Sequence, residues 1–156
     1  MITTMIDKST PQLDELYKEI ILEHYRKPHG RKPLDRVDYH AEGMNPLCGD
    51  EVNLHLKVTS GKIEDVYLEG HGCSISVSSG SILAELLKGK TLQEAKELTN
   101  LLKDIMHDKS NGSEKDIGDL EALVGVKKFP VRIKCALLPW TTFEEALKGH
   151  EHVEIS

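Results

Sequence analysis

Val52-Asn53-Leu54-His55-Leu56-Lys57-Val58 alternates apolar and polar residues without a break. Thr59-Ser60-Gly61-Lys62 follows with turn chemistry, and Ile63-Glu64-Asp65-Val66-Tyr67-Leu68-Glu69 resumes the pattern with Val66 and Leu68 inward. A period of two is that of a strand with one buried and one wet face. Two such runs joined by a short turn containing Gly predict an antiparallel hairpin.

The segments on either side read as helices. Upstream, Thr10-Pro11 has the form of an N-cap followed by Pro at the first helical position. Leu13, Leu16, Tyr17, Ile20 and His24 then recur at helical spacing, until Pro28-His29-Gly30 ends the run. Residues 31–50 are polar and irregular. Downstream, Gly70-His71-Gly72-Cys73 closes the hairpin, and Ser74 to Lys88 predicts a helix with Ile75, Ile82, Leu83, Leu86 and Leu87 apolar. Thr91-Leu92-Gln93-Glu94 is a capping-box pattern that opens a helix through Leu98, Leu101, Leu102 and Ile105. A polar loop is expected over residues 108–116 and a short helix over 119–124. A last helical region runs from Val131 to about Lys148, interrupted by Pro139. Strands come first and helices later, which predicts an α+β class with helices on one face of a small antiparallel sheet.

Composition narrows the possibilities. With 156 residues, one domain over 1–156 is expected, with 1–9 and 149–156 as loose tails. A hydrophobic content of 38% is enough for a core without disulfide staples. The net charge of −6, with both signs mixed along the chain, argues against a nucleic-acid platform, which needs a basic stripe. No stretch approaches the apolar length of a membrane span. Met1-Ile2-Thr3-Thr4-Met5 lacks a basic n-region and an apolar h-region, so a cytoplasmic protein with its three cysteines as thiols is expected.

Those cysteines stand at boundaries between elements. Cys48 precedes the hairpin, Cys73 follows it, and Cys135 lies in the last helical region. Antiparallel pairing returns the chain to its starting end, so Cys48 and Cys73 should be neighbours. Asp50 follows Cys48 by two positions, and Arg132 precedes Cys135 by three, which puts Arg132 on the same helix face. Gly49, Gly70 and Gly72 flank the thiols and leave room for close backbone approach. Taken singly, each cysteine reads as an ordinary buried thiol. The spacing is looser than paired CxxC knuckles and leaves a joint site and three core thiols equally open. Among the histidines, His71 should point away from Cys73, His24 sits on the apolar stripe of the first helix, and His150 and His152 fall in the tail. The run Ser74 to Ser81 lacks a nucleophile-elbow context.

Three motifs taken together are more specific. Asn45-Pro46-Leu47-Cys48-Gly49-Asp50, Gly70-His71-Gly72-Cys73-Ser74-Ile75-Ser76-Val77-Ser78-Ser79-Gly80-Ser81 and Arg132-Ile133-Lys134-Cys135 resemble the U-type iron–sulfur cluster assembly family. The resemblance extends from Leu16-Tyr17 and Ile21-Leu22-Glu23-His24-Tyr25 to Trp140. It is closer to the SufU branch than to the IscU branch. IscU-type proteins carry His immediately before the third cysteine, where this chain has Lys134, and residues 100–125 include an extra segment characteristic of SufU.

The resemblance implies a SufE/IscU-like fold built on a three-stranded sheet, with a further strand over residues 39–43 that periodicity does not reveal. It implies that Cys48, Asp50, Cys73 and Cys135 hold Zn²⁺ and that Cys48 accepts persulfide sulfur. The donor would be a pyridoxal-phosphate cysteine desulfurase of the SufS type, whose histidine takes the metal position that Cys48 vacates. Arg132 would serve that exchange, and downstream Suf assembly proteins would receive the sulfur. The chain is then a sulfur carrier, with no small-molecule turnover of its own expected. The alternative is a scaffold on which a [2Fe–2S] cluster forms at the same residues. A purely structural zinc is the third reading. Three thiolates and a carboxylate around a dication leave two negative charges, which Arg132 would partly offset. Pro139 removes the N–H that would bond the Cys135 carbonyl, so the last helix should bend beside the third thiol.

Overall fold

The structure is a computed structural model that describes residues 9–109 and 117–155, with the backbone alone for 9–16. Its elements run α1 (Ser9–Arg26), β1 (Tyr39–Asn45), β2 (Asp50–Thr59), β3 (Lys62–His71), α2 (Ser74–Leu87), α3 (Leu92–Met106), α4 (Glu121–Val124), α5 (Pro130–Leu147) and β4 (His152–Glu154). Single 3₁₀ turns at Gly118–Leu120 and Gly125–Lys128 flank α4. The class is α+β, as the alternation in residues 52–69 predicts.

β2 and β3 pair antiparallel with Leu54 opposite Leu68 and Leu56 opposite Val66. All four of these side chains are buried, so the alternation does decide which face is covered. β1 pairs antiparallel with β2 from Tyr39–Leu56 to Asn45–Asp50. The sheet has four strands in the order β3-β2-β1-β4, one more than expected. The extra strand corrects the expectation of a loose tail over 149–156. Gly149, at φ +82°, turns the chain after α5, and residues 152–154 then run parallel to β1 at Glu42–Met44. The Glu42 N–H donates to the Glu151 carbonyl at 2.7 Å and the Ile155 N–H to the Met44 carbonyl at 2.8 Å. The strand thus covers backbone groups that an edge would otherwise leave to solvent. Of the N-terminal tail expected over 1–9, residues 1–8 lie outside the described residues, and Ser9 already belongs to α1. Most of the polar loop expected over 108–116 lies outside them as well.

α2 and α5 cover one face of the sheet, and Ile82, Leu83, Leu87, Leu138, Trp140 and Phe143 from these helices are essentially inaccessible to water. Burial of this kind contributes about 25 cal/mol per Å² of apolar surface. Ser76, Ser78, Ser79 and Ser81 of α2 are buried too, and each has a partner. Ser78 Oγ donates to the Ile21 carbonyl at 2.6 Å and Ser79 Oγ to the Ala136 carbonyl at 2.5 Å. Trp140 Nε1–H donates to Ser79 Oγ at 3.0 Å. The hydroxyls therefore let α2 pack closely against α1 and α5 without orphaned polar atoms. Thr91 and Glu94 form the expected capping box at the start of α3. Among the described residues, no helix is long and apolar enough to cross a membrane.

Candidate metal centre

The tip of the β1–β2 hairpin carries Cys48. Asn45 and Asp50 are the last paired residues, and Pro46 to Gly49 form the connection. Gly49 adopts φ +73°, a backbone that L side chains rarely take, and its N–H donates to the Asn45 carbonyl at 2.9 Å. Asn45 Oδ1 accepts the Leu47 N–H at 3.2 Å, an Asx contact that shapes the turn. Cys48 is exposed there, beside the exposed side chain of Leu47.

Asp50 opens β2 and is fully buried. The β2–β3 register, with Glu51 opposite His71, brings the end of β3 back over it. Cys73, the N-cap residue of α2, donates its backbone N–H to Asp50 Oδ1 at 2.8 Å. Its sulfur lies 3.8 Å from Asp50 Oδ2 and 3.9 Å from Ser76 Oγ. Gly72 allows this approach, because a Cβ there would stand 2.6 Å from Asp50 Oδ1.

α5 supplies the remaining groups. Pro130 starts the helix where its missing N–H costs nothing. Cys135 is fully buried, with its sulfur 3.6 Å from Cys48 Sγ and 4.0 Å from Asn45 Nδ2. Burial pushes the Cys135 thiol up, and hydrogen bonding with Asp50 and Cys48 pushes it further. Arg132 is exposed one turn earlier on α5. The Cys73 sulfur beside it, and after that a hydrogen bond to Cys135, raise its pKa above the ordinary guanidinium value.

Donor atoms of Cys48, Asp50 and Cys135 all lie within 4.8 Å of one another, and Cys73 stands at the edge of that group against Asp50. Two thiolates on one tetrahedral zinc at 2.3 Å are separated by about 3.8 Å, and a thiolate and a carboxylate oxygen by about 3.5 Å. The 3.6 Å and 3.8 Å separations here are close to those values. Without a cation, the buried Cys135 favours its neutral form. A divalent ion among these donors would reverse that preference. The residues therefore fit a thiolate–carboxylate metal site.

The other sequence candidates lie elsewhere. His71 is largely exposed and faces Glu51 at 3.7 Å. His24 is buried against Ser81 and Asp119, and His150 pairs with Glu145 at 2.6 Å. Asn45 and Ser76 touch the thiols, and the sequence reading assigned neither to the site. The Asn-Pro pair before a turn signalled an Asx contact for Asn45. Nothing local marked Ser76.

Residues 16–136 match the model of the NifU-like N terminal domain. The chain is 39% identical over 142 residues to the zinc-dependent sulfurtransferase SufU of Bacillus subtilis, covering 89% of this chain and 94% of that protein. It is 37% identical over 137 residues to the iron–sulfur cluster assembly scaffold protein IscU of Streptococcus pyogenes, covering 88% and 86%. A crystal structure of a SUF-system iron–sulfur cluster assembly scaffold protein from Fervidobacterium islandicum superposes with a TM-score of 0.77 at 37% identity, covering 85% of this chain and 97% of that one.

Proposed function

We infer that this chain, a member of the NifU-like N-terminal domain family, is an iron–sulfur cluster assembly protein that accepts sulfur on the thiol of Cys48. The donor is a persulfide on a pyridoxal-phosphate cysteine desulfurase of the SufS type, and downstream Suf assembly proteins are the recipients. Cys48, Asp50, Cys73 and Cys135 hold Zn²⁺ in the resting protein. The observation that carries this reading is the contrast between two touching thiols: Cys48 is exposed on a hairpin tip, and Cys135 is buried in a helix. Freeing Cys135 would disturb packed structure, whereas Cys48 can turn outward on the Pro46–Gly49 connection.

Bound zinc would keep the thiols ionised and ready as nucleophiles. Cys48 Sγ attacks the outer sulfur of the desulfurase persulfide, a new S–S bond forms on Cys48, and the desulfurase cysteine leaves as thiolate. One S–S bond replaces another, so no outside oxidant or reductant is required. Asp50 keeps its hydrogen bond to the Cys73 backbone through this change and holds the inner side of the site together. Arg132, exposed beside Cys73, offsets negative charge and offers a fork of donors to a partner carboxylate.

The test is mass spectrometry after reaction with desulfurase and L-cysteine, with alkylation and digestion. Added sulfur belongs on the Cys48 peptide, and Cys48→Ser abolishes it while retaining the fold. Sulfur found mainly on Cys73 or Cys135 would overturn the assignment. The scaffold reading draws on the likeness to the Streptococcus IscU and uses the same donors. It predicts visible absorption from a cluster on the anaerobically reconstituted protein. Lys134 weighs against it, since Lys cannot replace His as a cluster ligand at neutral pH.

A further inference from the structure

We propose that His24, Glu85 and Asp119 form a second divalent-cation site, separate from the thiols. The three residues come from α1, α2 and the 3₁₀ turn before α4, so only the tertiary fold assembles them. His24 Nε2 lies 2.7 Å from Asp119 Oδ2 and 4.0 Å from Glu85 Oε1, and one donor atom from each of the three lies within 4.8 Å of the others. His29 adds a fourth donor at the rim, its Nε2 3.4 Å from Glu85 Oε2.

The burial of these groups suits an ion that arrives from solvent. His24 is only 5% exposed, while the Glu85 and Asp119 side chains are each 42% exposed. The imidazole thus forms the rigid back of the site and the carboxylates its open front. A hollow of about 520 Å³ adjoins them, lined by Glu19, Glu23 and Asp119 together with Lys27. Its charge favours a cation.

The far side of the ring is prepared as metal-binding imidazoles usually are, with a partner that fixes its orientation. His24 Nδ1 lies 2.7 Å from Ser81 Oγ, which also accepts the His29 backbone N–H at 2.8 Å. With no ion, Nε2 is hydrogen-bonded to Asp119 Oδ2. An ion on Nε2 would replace that bond and leave Nδ1–H to donate to Ser81 Oγ. The Ser81–His24–Asp119 series is no nucleophilic triad, because Ser81 is 1% exposed inside α2, where a substrate has no access. One imidazole nitrogen with two carboxylates suits Mn²⁺, Fe²⁺ or Zn²⁺, whereas the thiolate-rich site prefers softer ions.

Titration of the full chain with Mn²⁺, followed by the electron paramagnetic resonance signal of free Mn²⁺, tests the site. Uptake of one ion per chain at submillimolar concentration is expected. Glu85→Gln leaves the His24–Asp119 bond in place, so it should fold normally yet bind at least about tenfold more weakly. Asp119→Asn should weaken binding as well, and Cys48→Ser should leave it unchanged, which separates this site from the thiolate site. The proposal is overturned if wild type takes up no Mn²⁺ at millimolar concentration. It is equally overturned if neither Glu85→Gln nor Asp119→Asn alters uptake, or if Cys48→Ser abolishes it. Loss of thermal stability in Asp119→Asn with no Mn²⁺ uptake by wild type would make the cluster a hydrogen-bonded tie only, and that result also overturns it.

Discussion

The sulfur of Cys48 lies 3.6 Å from the sulfur of Cys135, although one cysteine is exposed on a hairpin tip and the other is sealed inside α5. A contact between such different surroundings means that an ion held there has one anchored thiolate and one that can depart. The anchored side is reinforced by the buried Asp50 and its hydrogen bond to the Cys73 backbone.

Metal content follows from that arrangement. Elemental analysis of the purified protein should find about one zinc per chain at the thiolate site, with no visible chromophore. Chelation should lower the melting temperature without unfolding the domain. Structural zinc can supply on the order of 10 kcal/mol to small metal-dependent folds, but here α2 and α5 also bury an extensive apolar core against the sheet. Complete unfolding on chelation would contradict this.

Arg132→Ala should cost little stability, within about 0.5 kcal/mol, because its side chain is exposed. Sulfur transfer from the desulfurase should nonetheless fall at least about tenfold, equivalent to about 1.4 kcal/mol in the barrier. Arg132→Lys should restore only part of it, since a point charge lacks the planar fork. Paired denaturant melts and transfer rates separate the two effects. Unaltered transfer by Arg132→Ala would remove Arg132 from the exchange.

Gly72→Ala tests how tightly Asp50 is set. The added methyl would meet Ser76 Oγ and, at 2.6 Å, Asp50 Oδ1, in a backbone conformation that Ala accepts. Both side chains must then shift, and the shift of Asp50 loosens its bond to Cys73 and its place among the donors. Zinc affinity in a competition titration with a chelating dye should drop about tenfold or more. Wild-type affinity would mean that Asp50 is not a ligand.

The open face of the sheet should be acid-sensitive. His55 stacks between His40 and Tyr67, with ring centroids 4.7 and 5.2 Å away. Burial, and then the neighbouring His40, hold its pKa below the usual histidine value, against the pull of Glu69. The unfolded chain therefore takes up the proton first as pH falls. This contribution to stability is complete above about pH 6.5 and declines below it, until the folded protein also protonates. Urea melts at pH 7.5 and 5.5 should show a larger loss for wild type than for His55→Asn. Equal losses would assign the acid sensitivity elsewhere.

Sequence alone determined the β2–β3 hairpin, the helices that follow it and the placing of Cys48 and Cys73 before and after that hairpin. The reason is local: alternation from Val52 to Leu68 dictates which face is buried, and the capping box at Thr91 needs only four consecutive residues. β1 escaped the same reasoning because Gly43 occupies a core-facing position, where Thr142 of α5 leaves no room for a Cβ. β4 is three residues long and exists only because the edge of β1 is free to pair with it. Hairpin geometry placed Cys73 beside the Cys48–Asp50 turn, but the direct contact is to Asp50. Cys135 reaches that turn only because α5 packs across β1 and β2, a non-local choice that no short-range period encodes. His24 likewise looked like one more residue on an apolar stripe, until the packing of α1 against α2 and the turn at Asp119 closed around its ring.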